Sequence, residues 1–148
     1  MPRKPPEISG AVQKKLLEAR VARLATMDAR NQPHIVPVCF AYDSKRFYTA
    51  IDRKPKRVAP ERLARLQHIR AVPRVALLVD HYDEDWNQLW YILIRGNAKL
   101  LPESAHQEHD WAIRQLRDKY PQYVRGVLAD DALIIRVTPA QTTSWGKI

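Results

Sequence analysis

The chain has 148 residues, 25 Lys and Arg against 16 Asp and Glu, a formal net charge of +9 and 45% hydrophobic residues, enough apolar material for one domain with its own core. Its longest strongly apolar run, Leu89 to Ile94, is far shorter than the roughly 18 residues of a membrane-spanning helix. The single cysteine, Cys39, excludes an internal disulfide or a multi-thiolate zinc site, and the four glycines lack the spacing of a dinucleotide fingerprint or a phosphate-binding loop. The basic start, Met1-Pro2-Arg3-Lys4-Pro5-Pro6-Glu7, leads into an amphipathic stretch rather than an apolar signal core, so a cytoplasmic address is expected, with residues 1–8 flexible.

Ser9 stands where a helix N-cap belongs, and Val12, Leu16 and Ala19 recur at helical period, which predicts a first helix over Gly10 to Arg20. Val21 to Met27 and Pro33 to Tyr42 read as the two strands of a hairpin. Asn31 supplies the left-handed turn position between them. Pro37 removes a ladder donor, which makes its strand an edge or leaves backbone groups unpaired there. Arg46 to Ile51 is a third strand, Pro60 opens a second helix to about Arg70, and Val72 to Tyr82 and Gln88 to Leu101 are strands four and five. A third helix follows Pro102 to about Tyr120, with Ala105, Ala112, Ile113 and Leu116 inward. Ala132 to Val137 is the last strand, trailed by a short tail through Trp145. Meandering strands with inserted helices predict an antiparallel, barrel-like α+β domain over residues 1–148.

The cations concentrate in one place: Arg53, Lys54, Lys56, Arg57, Arg62, Arg65, Arg70 and Arg74, opposed between positions 53 and 74 by Glu61 alone. A solvated helix face is the bland reading of such a run. Four of these cations, however, follow Tyr48-Thr49 at the mouth of a strand, and a hydroxyl with converging Arg and Lys groups is suited to phosphate. A basic nucleic-acid-binding barrel is the rival, disfavoured because Phe40, Tyr42, Trp90 and Tyr91 lie in alternating strands rather than among the cations. His106 and His109, with Glu103 and Asp110, read as a polar helix surface, His81 as part of an acidic strand end, and Cys39 as a core thiol. No metal site is expected, and no side chain is assigned as a catalytic acid or base.

Tyr48-Thr49-Ala50-Ile51-Asp52-Arg53-Lys54 resembles the phosphate-binding stretch of the pyridoxamine 5′-phosphate oxidase-like split-barrel flavoproteins, with Asp52 where that pattern has serine. The hairpin Ala25-Thr26-Met27-Asp28 to Pro33-His34-Ile35-Val36-Pro37-Val38 is similar to the family's opening. Lys54-Pro55-Lys56-Arg57, Val79-Asp80-His81-Tyr82-Asp83 and Trp86-Asn87-Gln88-Leu89-Trp90 most resemble a subgroup associated with the deazaflavin F420. The resemblance spans roughly residues 10 to 146. It implies a homodimeric split β-barrel with flanking helices, holding FMN or F420 in a groove between subunits, and an oxidoreductase moving hydride to or from a small molecule, without nucleic acid or membrane. A non-enzymatic flavin or deazaflavin carrier on the same fold is the alternative. Carried over by position, Thr49, Arg53 and Lys54 bind the cofactor phosphate, Lys56 and Arg57 extend the anionic site, and the backbone of Val36, Pro37 and Val38 lies along the ring. The several negative charges of F420 match the surplus of cations, with Arg62 and Arg65 tracking its tail, so F420 is expected ahead of FMN. Thr142 to Gly146 lack the arginines with which genuine pyridoxamine phosphate oxidases hold their substrate.

Overall fold

The computed structural model describes residues 8–51 and 60–148. Seven strands, β1 (Ala22–Met27), β2 (Pro33–Val38), β3 (Ala41–Tyr42), β4 (Phe47–Ala50), β5 (Arg74–His81), β6 (Trp90–Leu100) and β7 (Ile134–Gly146), form one sheet in the order β2-β1-β5-β6-β7-β4-β3. All neighbours are antiparallel. The sheet curls into a half-barrel flanked by α1 (Gly10–Glu18), α2 (Pro60–Ala71) and α3 (His106–Lys119), the split-barrel architecture expected from the sequence. Of residues 1–8, expected to be flexible, Ile8 is described and packs against the barrel core, while 1–7 lie outside the described part, as do Arg53, Lys54, Lys56 and Arg57.

Alternation explains which way each strand faces. Along β6, Ile92, Ile94, Gly96 and Ala98 are buried while Tyr91, Arg95, Asn97 and Lys99 are exposed. The buried set joins Leu24, Leu77, Val79 and Val137 in the barrel core, which α1 closes with Val12 and Leu16. Ser9 caps α1 as expected, its side chain accepting from the Val12 amide at 3.3 Å. Strand β4 is buried throughout because it has a core on each side. Phe47 belongs to the barrel core, and Tyr48 and Ala50 pack with Ala112, Ile113 and Leu116 of α3. Asn31 takes the expected left-handed turn with φ 62°, and β2, carrying Pro37, is an edge strand.

Two elements depart from expectation. The strand expected over Pro33 to Tyr42 is two strands at opposite edges of the sheet: β2 pairs with β1, β3 pairs with β4, and the chain crosses between them at Cys39 and Phe40. That crossing strands the backbone polar groups of Phe40, and α3 with its C-cap satisfies them. The Phe40 amide donates to the Tyr120 hydroxyl at 3.1 Å and the Phe40 carbonyl accepts from Lys119 Nζ at 3.1 Å. The expected short tail after Val137 is instead the second half of β7, paired with β6 as far as Trp90 and Gly146. A bulge leaves Ala140 without a partner between Gln141, opposite Arg95, and Pro139, opposite Gly96, so the register shifts beside a residue that lacks an amide donor. Gly96 makes this possible, since a Cβ there would collide with the Thr138 carbonyl.

Candidate functional site

A cavity of about 450 Å³ opens beside the crossing from β2 to β3. Pro37, Val38 and Cys39 form one side, Thr49 of β4 and Arg65 of α2 another, and Tyr123 closes it beyond α3. Each comes there for a local reason. Pro37 sits on an edge strand, the place in a sheet where a residue without an amide donor is tolerated. Thr49 is paired with Ile135 and is only 4% exposed, so its hydroxyl is presented from a fixed backbone. Arg65 lies one helical step before the core residues Leu66 and Ile69 and is 8% exposed.

The neighbouring groups are held by one another. Arg20, at the cavity's edge, donates through Nη2 to the Lys119 carbonyl at 2.7 Å and lies 4.8 Å from the Tyr120 ring centroid. The Tyr120 hydroxyl donates to the Arg20 carbonyl at 2.8 Å. Burial, reinforced by the Arg20 charge, lowers Lys119 to about 8. Burial likewise raises the Tyr120 hydroxyl to about 12.

The tyrosine of the Tyr-Thr pair faces elsewhere. Tyr48 donates to Glu108 Oε2 at 2.9 Å on the α3 side of β4, and Arg136 Nη1 binds the same carboxylate at 2.7 Å from Oε1. Burial and the Glu108 carboxylate push the Tyr48 hydroxyl well above the usual phenol range. Tyr48 therefore anchors β4 to α3 and leaves Thr49 as the hydroxyl presented to the cavity.

Of the residues singled out by sequence, Pro37, Val38 and Thr49 line this one cavity. Val36 instead packs its side chain against the barrel core. Arg65, expected to track the anionic tail of the cofactor, is buried and lines the same cavity as Thr49. Cys39, expected in the core, is half-buried and lines the cavity, because the strand ends at Val38 and Phe40 takes the core position. His109, expected on a polar surface, is half-buried, with Nε2 2.7 Å from the Ala132 carbonyl. The sequence reading missed Arg20, Tyr120 and Tyr123, and only the long-range packing of α3 brings them to this place. No group of His, Cys, Asp and Glu side chains suited to a metal occurs among the described residues. No helix among them is long and apolar enough to cross a membrane.

A curled antiparallel half-barrel of seven strands with flanking helices defines a split-barrel protein. The family model described as pyridoxamine 5′-phosphate oxidase matches residues 8–146, and the chain belongs to that family. Among solved structures, HutZ, the heme storage protein from Vibrio cholerae, is 14% identical over 96% of each chain with a TM-score of 0.71. A FAD-binding protein from Mesorhizobium loti is 24% identical, covering 93% of this chain and 94% of that one, with a TM-score of 0.68. An F420 reductase is 21% identical, covering 92% of this chain and 98% of that one, with a TM-score of 0.62. No curated protein matches the sequence.

Proposed function

We propose that this protein is a cofactor-dependent oxidoreductase that moves a hydride between F420 or FMN and a small molecule. The observation that carries the reading is the convergence of Thr49, the buried cation of Arg65 and the Pro37–Val38 edge on one cavity. These residues fit a phosphate-bearing tricyclic cofactor: a hydroxyl and a guanidinium for the phosphate, and edge backbone with apolar walls for the ring. When bound, the cofactor supplies the hydride chemistry. The chain's part is to bind, orient and exclude water. Thr49 donates to a phosphate oxygen, Arg65 neutralises it, and the Val38 and Tyr123 side chains keep the ring side apolar.

Arg53, Lys54, Lys56 and Arg57 follow β4 directly in sequence, and we assign them to the same anionic end of the cofactor. That surplus of cations favours F420, which carries more negative charge than FMN. A cytoplasmic homodimer is part of the proposal, as is the absence of a nucleic-acid partner. Lys54→Ala and Arg53→Ala are expected to weaken cofactor binding about ten- to a hundredfold with little effect on stability. Titration of the purified protein with FMN and with F420, read by fluorescence, tests the reading. F420 is expected to bind about tenfold tighter at low salt, by a margin that salt narrows. FMN bound equally or more tightly removes the preference for F420, and binding of neither removes the proposal.

One observation favours a carrier as the second reading: no carboxylate and no histidine lines the cavity among the described residues. Turnover separates the two, since a carrier binds reduced cofactor without passing its hydride to any acceptor.

A further inference from the structure

A second cavity, of about 440 Å³, lies where the end of α1, the approach to β1 and the β5–β6 connection meet. It shares Arg20 and Val21 with the first cavity, yet nothing in the cofactor reading uses its other residues. They include His81 and Trp90 from the two segments that stand out in the sequence between Val79 and Trp90.

Its wall is aromatic. The Trp90 and His81 rings lie at 19° to each other with centroids 6.2 Å apart, and Lys15 Nζ is 5.2 Å from the Trp90 ring centroid. Its charge is positive once internal pairs are set aside. Arg23 is matched by Asp80 at 2.6 Å, and His81 faces Asp83 at 3.6 Å. Lys15, Arg20 and Lys147 remain, three cations against the carboxylates of Glu18 and Asp83. None of these three cations meets a carboxylate in an ion pair among the described residues. Arg20 is held in place by the Lys119 carbonyl and the Tyr120 ring, contacts that orient its charge without cancelling it.

An indole with a cation beside it and two further cations outside any ion pair among the described residues suits a flat ring that bears an anionic group. The ring gains from packing on Trp90 and His81, and the anion from a charge-assisted bond to Lys15 or Arg20. We propose that this cavity is a binding site for a planar aromatic carboxylate, separate from the cofactor cavity and walled from it by Arg20. The site stands independently of the cofactor reading, because none of its recognition uses Thr49 or Arg65.

The test uses the full chain without added cofactor, titrated with 2-naphthoate and with the neutral, nearly isosteric 2-naphthamide. Binding is read by calorimetry and by the indole N–H resonances, with the Trp90 signal assigned by its loss in Trp90→Phe. The carboxylate is expected to shift the Trp90 resonance and to bind about tenfold more tightly than the amide, the difference of one charge-assisted bond. Lys15→Met, which keeps the aliphatic stem and removes the charge, is expected to lower naphthoate affinity about five- to tenfold. Thr49→Val is expected to leave it unchanged. No shift at Trp90, equal affinity for the amide, no effect of Lys15→Met, or loss of binding in Thr49→Val would each overturn the proposal. The last of these would move the ligand into the neighbouring cavity.

Discussion

Arg65 is buried in the wall of the cavity that Thr49 also lines. Read along the chain it is one of eight cations in a basic stretch, and only the packing of Leu66 and Ile69 into the barrel core turns it to the cavity wall. Arg65→Met is therefore expected to reduce affinity for a phosphate-bearing cofactor about ten- to a hundredfold, the loss of a charge-assisted contact worth about 1.5 to 3 kcal/mol. The affinity comparison is made against Arg70→Met, an exposed cation of the same helix, which should change little. Lys119 and Tyr120 make a second prediction at this scale. Lys119 titrates at about 8 in the fold against 10.5 ordinarily, so between these values the unfolded chain binds more protons and stability rises with pH. Tyr120 behaves oppositely. It holds its proton to about 12 in the fold against 10.0 ordinarily, so above pH 10 the unfolded chain has lost a proton that the folded chain keeps, and stability falls. Urea midpoints between pH 7 and about 11 should pass through a maximum near pH 10. Lys119→Met should flatten the rise, and Tyr120→Phe should lessen the fall. A profile unchanged by both substitutions would separate these groups from the pH dependence.

At the scale of elements, the long pairing of β6 with β7 depends on one backbone irregularity. Gly96→Ala places a Cβ against the Thr138 carbonyl, a backbone atom that cannot move aside without disturbing both ladders. A loss of about 2 kcal/mol or more in denaturant unfolding is expected, while Gly10→Ala, with open space around it, should be close to neutral. Local pattern carried most of the elements. Alternation in β6, the Ser9 cap, the Asn31 turn and the inward stripe of α3 all act over a few residues and are visible as such in the sequence. Two features were not legible. The chain's departure from β2 at Cys39 depends on Tyr120 and Lys119, about 80 residues away, receiving the polar groups of Phe40. The outer half of β7 has the threonines, serine and proline of a loop, and becomes a strand because β6 already offers it a ladder. The candidate site divides in the same way. Thr49 and Pro37 were readable from local chemistry, whereas Arg20, Tyr120 and Tyr123 reach the cavity through tertiary packing alone.

For the whole molecule, the sheet's outward face raises the question of association. Where the inward residues of β6 fill the barrel, Tyr91 and Leu93 point the other way, and Tyr91 pairs across the ladder with Trp145. The two rings are stacked with centroids 5.8 Å apart, yet Tyr91 is 36% and Trp145 52% exposed. Nearby on the outer surface runs a groove of about 650 Å³ whose walls include Met27, Pro33, Ala76 and Ala140. Arg74 and Arg95 also line this mostly apolar groove, and exposed aromatic pairs beside such a groove are features of a surface that another protein surface covers. A two-fold dimer through this face would place the same patch of each subunit on the other, burying Tyr91 and Trp145 twice over. Light scattering at micromolar concentration should therefore give twice the chain mass. Tyr91→Lys combined with Trp145→Glu should yield a monomer whose far-ultraviolet circular dichroism is unchanged, because both side chains lie outside the barrel core. If the dimer also completes the cofactor groove, that monomer should bind cofactor about tenfold or more weakly while Thr49 and Arg65 remain in place. A wild-type chain that is already a monomer would instead leave the cavity between β2, β4 and α2 to hold the cofactor by itself.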